Sequence, residues 1–238
     1  MWYKIFRNIL IGPILSVLGR PKIIGRENIP SDGPIILASN HLAVVDSFFL
    51  AMMMERRITF PAKVQFFTSP GLWGAVKRFF FTAAGQIPID RYDKESSESA
   101  LNQLQIILRQ GGIVGIYPES YSSPDGRLFK GKTGVARLAL ATKAPIIPVA
   151  MVGTDRLNPA DKLLWRPANV QIRVGAPLDY ESLIDNGLYP QVERAITDLL
   201  MNQIAALGGQ RQAPFYAAVI KDPEAVKSLK SAGSEGAL

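Results

Sequence analysis

Residues 34–54 read PIILASNHLAVVDSFFLAMMM. The run Pro34-Ile35-Ile36-Leu37-Ala38 has the length and apolar continuity of a buried strand that ends at Ser39. Asp46 to Met54 predicts a helix opened by an acidic residue, and Arg56 and Arg57 follow where cations suit its C-terminal dipole. Between the two lies a loop that carries His41, the only histidine in 238 residues. Strand, loop and helix in this order form the building unit of an α/β sheet, and in such sheets sites gather beyond the strand ends.

The same alternation continues along the chain. Ile58–Ala62 predicts a second strand, Gly71–Thr82 a helix, and Ser96–Arg109 an amphipathic helix closed by Gly111-Gly112. Gly112–Tyr117 predicts a buried strand stopped by Pro118, Thr133–Thr142 a helix and Ile146–Met151 another strand. Val170–Val174 alternates as a half-exposed strand does, and Tyr189–Ala206 is the last helix. The expectation is one α/β domain over residues 25–221, with a mixed, largely parallel sheet covered by helices. Residues 222–238, rich in Gly, Ser, Ala and Lys, read as a flexible tail.

Composition narrows the chemistry. Hydrophobic residues make up 47% of the chain, enough for a substantial core. There is no cysteine, which excludes disulfides, thiolate metal sites and a cysteine nucleophile. One histidine leaves only carboxylates to build a metal site, and no Asp/Glu cluster has calcium-loop spacing. Neither a metal nor another cofactor is expected. The net charge of +7 favours an anionic partner, either a membrane surface or a phosphorylated substrate. Nucleic acid is not expected, because no dense basic block or binding motif is present.

The first 24 residues form a separate segment. Its charge-free run, Asn8 to Gly19, is too short to span a bilayer, and no small-x-small cleavage site precedes Arg20. Trp2, Tyr3, Phe6, Ile9, Leu10, Ile14 and Leu18 recur at helical spacing, with Lys4 and Arg7 among them. This predicts a helix lying in a membrane interface, broken near Gly12-Pro13; the alternative is a helix packed on the domain. Trp73 to Phe81, aromatic and basic, is either a second interfacial anchor or ordinary core.

His41 and Asp46 are five residues apart, which on a helix is a turn of about 500°, so they would not share a helical face. Pairing them requires His41 in the loop and Asp46 at the first helical turn. An Asp46 that accepts from Nδ1–H fixes the tautomer and leaves Nε2 as a base, walled from water by Leu42, Ala43, Val44 and Val45. The alternative for a lone histidine is a bond to a backbone carbonyl.

Three further stretches in order complete a pattern. Asn40-His41-Leu42-Ala43-Val44-Val45-Asp46 is followed by Gly85-Gln86-Ile87-Pro88-Ile89-Asp90-Arg91, Tyr117-Pro118-Glu119-Ser120-Tyr121-Ser122-Ser123 and Ile146-Ile147-Pro148-Val149-Ala150. Together with Ala62-Lys63 and Pro70-Gly71, they resemble the H-x4-D glycerolipid acyltransferases that acylate glycerol-3-phosphate or 1-acylglycerol-3-phosphate (lysophosphatidate). The resemblance runs from about Gly25 to Pro177. It implies that His41 deprotonates an acceptor hydroxyl, with Asp46 orienting it, for direct attack on the thioester of acyl-CoA or acyl carrier protein. It further implies substrate contacts from Asn40, Lys63, Arg91, Glu119, Ser120, Tyr121, Ser122 and Lys130, with Lys63 and Arg91 facing the acceptor's phosphate. The setting implied is the cytoplasmic face of the membrane.

The third block departs from the family's F-P-E-G-T-R-S. Ser120, Tyr121 and Ser122 replace glycine, threonine and the arginine expected to grip phosphate. Three readings stay open: Arg91, Lys63, Lys130 or Lys132 replace that arginine, the acceptor is another lipid or glycolipid alcohol, or activity is reduced. Outside enzymes, the alternative is a membrane-binding module without the chemistry.

Overall fold

The structure is a computed structural model that describes residues 6–90, 93–159, 165–184 and 189–221. Trp2, Tyr3, Arg91 and the tail from 222 onward lie outside the described residues.

A π-helical turn, Phe6–Ile11, leads into α1 (Gly12–Gly19), with Pro13 in the first turn, where a missing N–H costs no helical bond. The break expected at Gly12-Pro13 is therefore a change of helix type. One side of α1 packs on the domain: Leu15 is fully buried, and Gly19 sits against the Phe49 ring. Its other side leaves Ile14 and Val17 exposed, as is Ile9 in the turn before it. No helix among the described residues is long and apolar enough to cross a membrane.

The strands are β1 (Lys22–Ile24), β2 (Ile35–Ser39), β3 (Ile58–Thr59), β4 (Pro61–Lys63), β5 (Ile87–Ile89), β6 (Ile113–Ile116), β7 (Ile146–Val152) and β8 (Gln171–Val174). The longer helices are α2 (Asp46–Met53), α3 (Gly71–Ala83), α4 (Lys94–Arg109), α5 (Gly134–Thr142) and α6 (Tyr189–Gly208). Six strands form one sheet in the order β1-β8-β7-β2-β6-β3, parallel except for the antiparallel β7–β8 pair. The mixed, largely parallel sheet is the architecture expected from sequence.

β2 lies at the centre, and its side chains divide the core. Ile35 and Leu37 pack with α1 and α2 through Leu15, Phe49 and Leu50. Ile36 and Ala38 face α4, α5 and α6 through Leu104, Leu138 and Ile196. Both faces are covered, so the strand is apolar at nearly every position rather than alternating.

The strand expected over Ile58–Ala62 is divided. β3 pairs with β6 in the main sheet, and β4 leaves to pair in parallel with β5. Gln86 bridges the change of direction, its Oε1 accepting the Phe60 N–H at 2.7 Å. β1 and β5 are three-residue strands, too short to show a period. α4 begins two residues earlier than expected, because the Asp93 carboxylate caps it by accepting from the Glu95 and Ser96 N–H groups.

Candidate active site

The site sits where β2 ends. Ala43 and Val45 are buried, and their carbonyls accept from Asp46 and Phe48 N–H, turning the chain tightly into α2. This turn brings Asp46 back under the loop. Its Oδ2 accepts the N–H groups of Leu42 at 2.7 Å and Ala43 at 2.9 Å and lies 2.9 Å from His41 Nδ1. Asp46 is fully buried and the His41 side chain only 13% exposed. A carboxylate against Nδ1 selects the tautomer protonated there, which in the neutral imidazole leaves the lone pair on Nε2. The sequence's His–Asp pair is real geometry.

An aromatic stack holds the imidazole from one side. Tyr117 lies on His41 with ring centroids 4.1 Å apart and planes 16° from parallel, and Phe60 lies on Tyr117 at 5.8 Å. Gly115 makes room for this stack, since a Cβ there would meet the Phe60 ring at 2.1 Å. The Tyr117 hydroxyl is 2.9 Å from Ser47 Oγ; burial first, and the Asp46 charge second, push its pKa well above the usual phenol value. It stays a neutral wall.

Glu119 holds the loops together. It is buried, with Oε1 accepting the His41 N–H at 2.9 Å and Oε2 the Phe129 N–H at 2.8 Å. Burial raises its pKa to about 7, against the lowering effect of those two bonds. The His41 carbonyl in turn accepts from Ser123 N–H at 2.6 Å. Asn40 is equally enclosed: its amide exchanges bonds with the Met151 backbone and donates to Gln210 Oε1. Neither Asn40 nor Glu119 lines the cavity beside His41; both tie the His41 loop to its neighbours.

Where the family block has glycine, Ser120 takes φ of +64°. Here the left-handed backbone is adopted without the residue best suited to it. Tyr121, 9% exposed, packs with Phe129, Ala213 and Ala217. Tyr121 and Ser122 share with His41 a cavity of about 200 Å³. Its other walls are mainly apolar, from Val44 and Phe48 of the His41 loop and α2, Phe80 and Phe81 of α3, and Ile11 and Leu15 at the N-terminus. Lys63, exposed on β4, lines it too. Lys130 does not; its ammonium lies over the Tyr216 ring at 5.6 Å. A second cavity of about 390 Å³ shares the Tyr117 wall and is lined by Ser120 and Lys132. Among the described residues, no group of three or more His, Cys, Asp or Glu could hold a metal ion.

Fold and site define an α/β protein whose buried His–Asp pair opens onto an apolar cavity. The family model described as Acyltransferase matches residues 20–152, more than half of the chain, and the protein belongs to that family. The 1-acyl-sn-glycerol-3-phosphate acyltransferase of Bacillus subtilis is 28% identical over 209 residues, covering 86% of this chain and 96% of that protein. The chloroplastic 1-acyl-sn-glycerol-3-phosphate acyltransferase BAT2 of Brassica napus is 29% identical over 157 residues, 66% of this chain. This chain spans less than half the length of that plant relative and of a Chlamydomonas reinhardtii one. The crystal structure of the 1-acyl-sn-glycerophosphate acyltransferase PlsC from Thermotoga maritima shares the fold, with a TM-score of 0.63 at 20% identity, covering 84% of this chain and 80% of that one.

Proposed function

We propose that the protein moves a fatty acyl group from an acyl thioester to a hydroxyl of lysophosphatidate or glycerol-3-phosphate. The observation that carries this reading is His41, held by the buried Asp46, lining an apolar cavity in a chain without cysteine. His41 Nε2 takes the acceptor's hydroxyl proton as the oxygen attacks the thioester carbonyl. Backbone amides of the loop after Glu119 or at the start of α2 face the oxyanion in this reading. The carbon–sulfur bond then breaks, and the imidazolium returns its proton to the leaving thiolate. The products are an ester and free CoA or carrier-protein thiol.

The acyl chain occupies the apolar cavity. Lys63, which lines the cavity, meets the acceptor's phosphate, with Arg91 as a second cation. The enzyme works on the cytoplasmic face of a membrane. Ile9, Ile14 and Val17 at the N-terminus and Leu72, Trp73, Val76 and Phe79 on α3 are exposed apolar residues, and the exposed Lys77 and Arg78 adjoin the latter. Aromatic and aliphatic groups beside cations suit an anionic bilayer surface.

A second reading, transfer to an unphosphorylated lipid or glycolipid alcohol, is favoured by the cavity wall made of Tyr121 and Ser122 where the family has an arginine. Free-CoA release from palmitoyl-CoA over glycerol-3-phosphate, lysophosphatidate of both regiochemistries and an unphosphorylated lysolipid tests both. Turnover confined to the phosphorylated acceptors upholds the first; turnover confined to the lysolipid replaces it with the second.

A further inference from the structure

The family match ends at residue 152, yet the chain returns to the site after α6. From Gln210 to Ala217 it runs along the loop that follows Glu119, held by backbone bonds. Leu128 N–H donates to the Arg211 carbonyl, Ala213 N–H to the Leu128 carbonyl and Lys130 N–H to the Phe215 carbonyl. Ala213 and Ala217 cover Tyr121 and Phe129, and the Phe215 ring meets Phe129 edge-on at 5.7 Å. Phe129 is the residue whose N–H binds Glu119, the carboxylate that also holds His41.

Gln210 reaches both sides of the site. Its Oε1 accepts from Asn40 Nδ2 at 2.6 Å, and its Nε2 donates to the Gly126 carbonyl at 2.8 Å. With this bond both donors of the buried Asn40 amide are used: Nδ2 donates to Met151 O and Gln210 Oε1, while Oδ1 accepts from Met151 N–H and the Ser39 hydroxyl is shared between Asn40 O at 3.0 Å and Oδ1 at 3.3 Å. A buried amide with both donors paired has one orientation, whereas one missing an acceptor for its N–H has reason to move. Asn40 directly precedes His41.

We propose that the segment Gln210–Ala217 is part of the catalytic apparatus, with Gln210 a positioning residue that fixes His41 through Asn40 and clamps the His41 loop to the Glu119 loop. The proposal rests on the reading of His41 as the base. It also gives Tyr121 a physical reason to stand in the third block: its ring is the surface on which the returning segment seats.

The test uses the full chain and two variants. Gln210→Leu removes both bonds, whereas Gln210→Glu keeps an acceptor for Asn40. The expectation for Gln210→Leu is a fall in kcat of about tenfold or more, since small displacements of a reacting group are costly. KM for donor and acceptor should stay within about twofold, as expected when ground-state binding is untouched. Gln210→Glu should recover part of the lost kcat, because it restores the acceptor for Asn40 but not the donor to Gly126. Hydrogen exchange provides a readout independent of turnover: peptides covering 39–46 and 119–129 should exchange faster in Gln210→Leu, while α4 does not. Unchanged kcat and exchange in Gln210→Leu would overturn the proposal, as would faster exchange spread equally through α4. If the wild type turns over neither palmitoyl-CoA nor palmitoyl carrier protein, the acyl-transfer reading fails, and the exchange pattern alone decides whether the segment clamps the two loops.

Discussion

Glu119 Oε1 accepts the backbone N–H of His41 at 2.9 Å, so the carboxylate of the third block holds the loop of the first. Burial raises its pKa from 4.5 to about 7. Between those two values the folded protein binds a proton that the unfolded chain has released, so stability falls as pH rises from about 4.5 to about 7 and levels off above. The loss is on the order of 3 kcal/mol for a shift of this size. Urea unfolding across that range should show the slope in the wild type and a flatter profile in Glu119→Gln, which has no titrating group there. Equal slopes in both would assign the pH dependence elsewhere.

Ser120 has a positive φ that ordinary residues adopt at a cost of roughly 1–2 kcal/mol. Glycine relieves this strain but gives back part of the gain as chain entropy, so Ser120→Gly should stabilise by about 0.5–1 kcal/mol. Ser120→Val, β-branched at the same φ, should destabilise. Thermal melts of the two variants read the difference directly, and a drop in melting temperature for Ser120→Gly would contradict the strain.

Gly115 has the Phe60 ring where a Cβ would stand. Gly115→Ala should cost about 1–3 kcal/mol by overpacking a central strand. It should also lower activity beyond that loss, because Phe60 carries Tyr117 and Tyr117 carries His41. The comparison is kcat measured well below the melting temperature. A destabilised variant with normal kcat would separate the stack from the chemistry.

Lys63→Met should raise KM for a phosphorylated acceptor about tenfold, the scale of one lost charge-assisted bond, and leave KM for palmitoyl-CoA unaltered. Steady-state kinetics with each substrate varied in turn separates the two. A rise in the donor's KM alone would move Lys63 to the other substrate.

Much of this was legible in the chain because it is local. The βα unit from Ile35 to Met53 follows from an apolar run, a polar loop and a helix opened by Asp46, and the His41–Asp46 contact needs only the turn between them. β1 and β5 escaped because three residues show no period, and β4 because Pro61 turns an apparently continuous strand into a second sheet. Lys130 fell near the site in sequence, but its ammonium sits over Tyr216, a contact that depends on a segment more than eighty residues away. Gln210 was invisible for the same reason: its neighbours carry no motif, and its partners Asn40 and Gly126 are set by the fold.

The most direct test of the central claim is release of free CoA from palmitoyl-CoA with lysophosphatidate as acceptor, by the wild type, His41→Ala and Asp46→Asn. Acceptor-dependent release by the wild type is expected, with a fall of about 10²–10⁴-fold in kcat for His41→Ala while the fold stays intact by circular dichroism. Asp46→Asn should fall comparably, because an amide facing Nδ1 no longer enforces the tautomer that frees Nε2. Release by His41→Ala at the wild-type rate would show that the imidazole held by Asp46 is not the base.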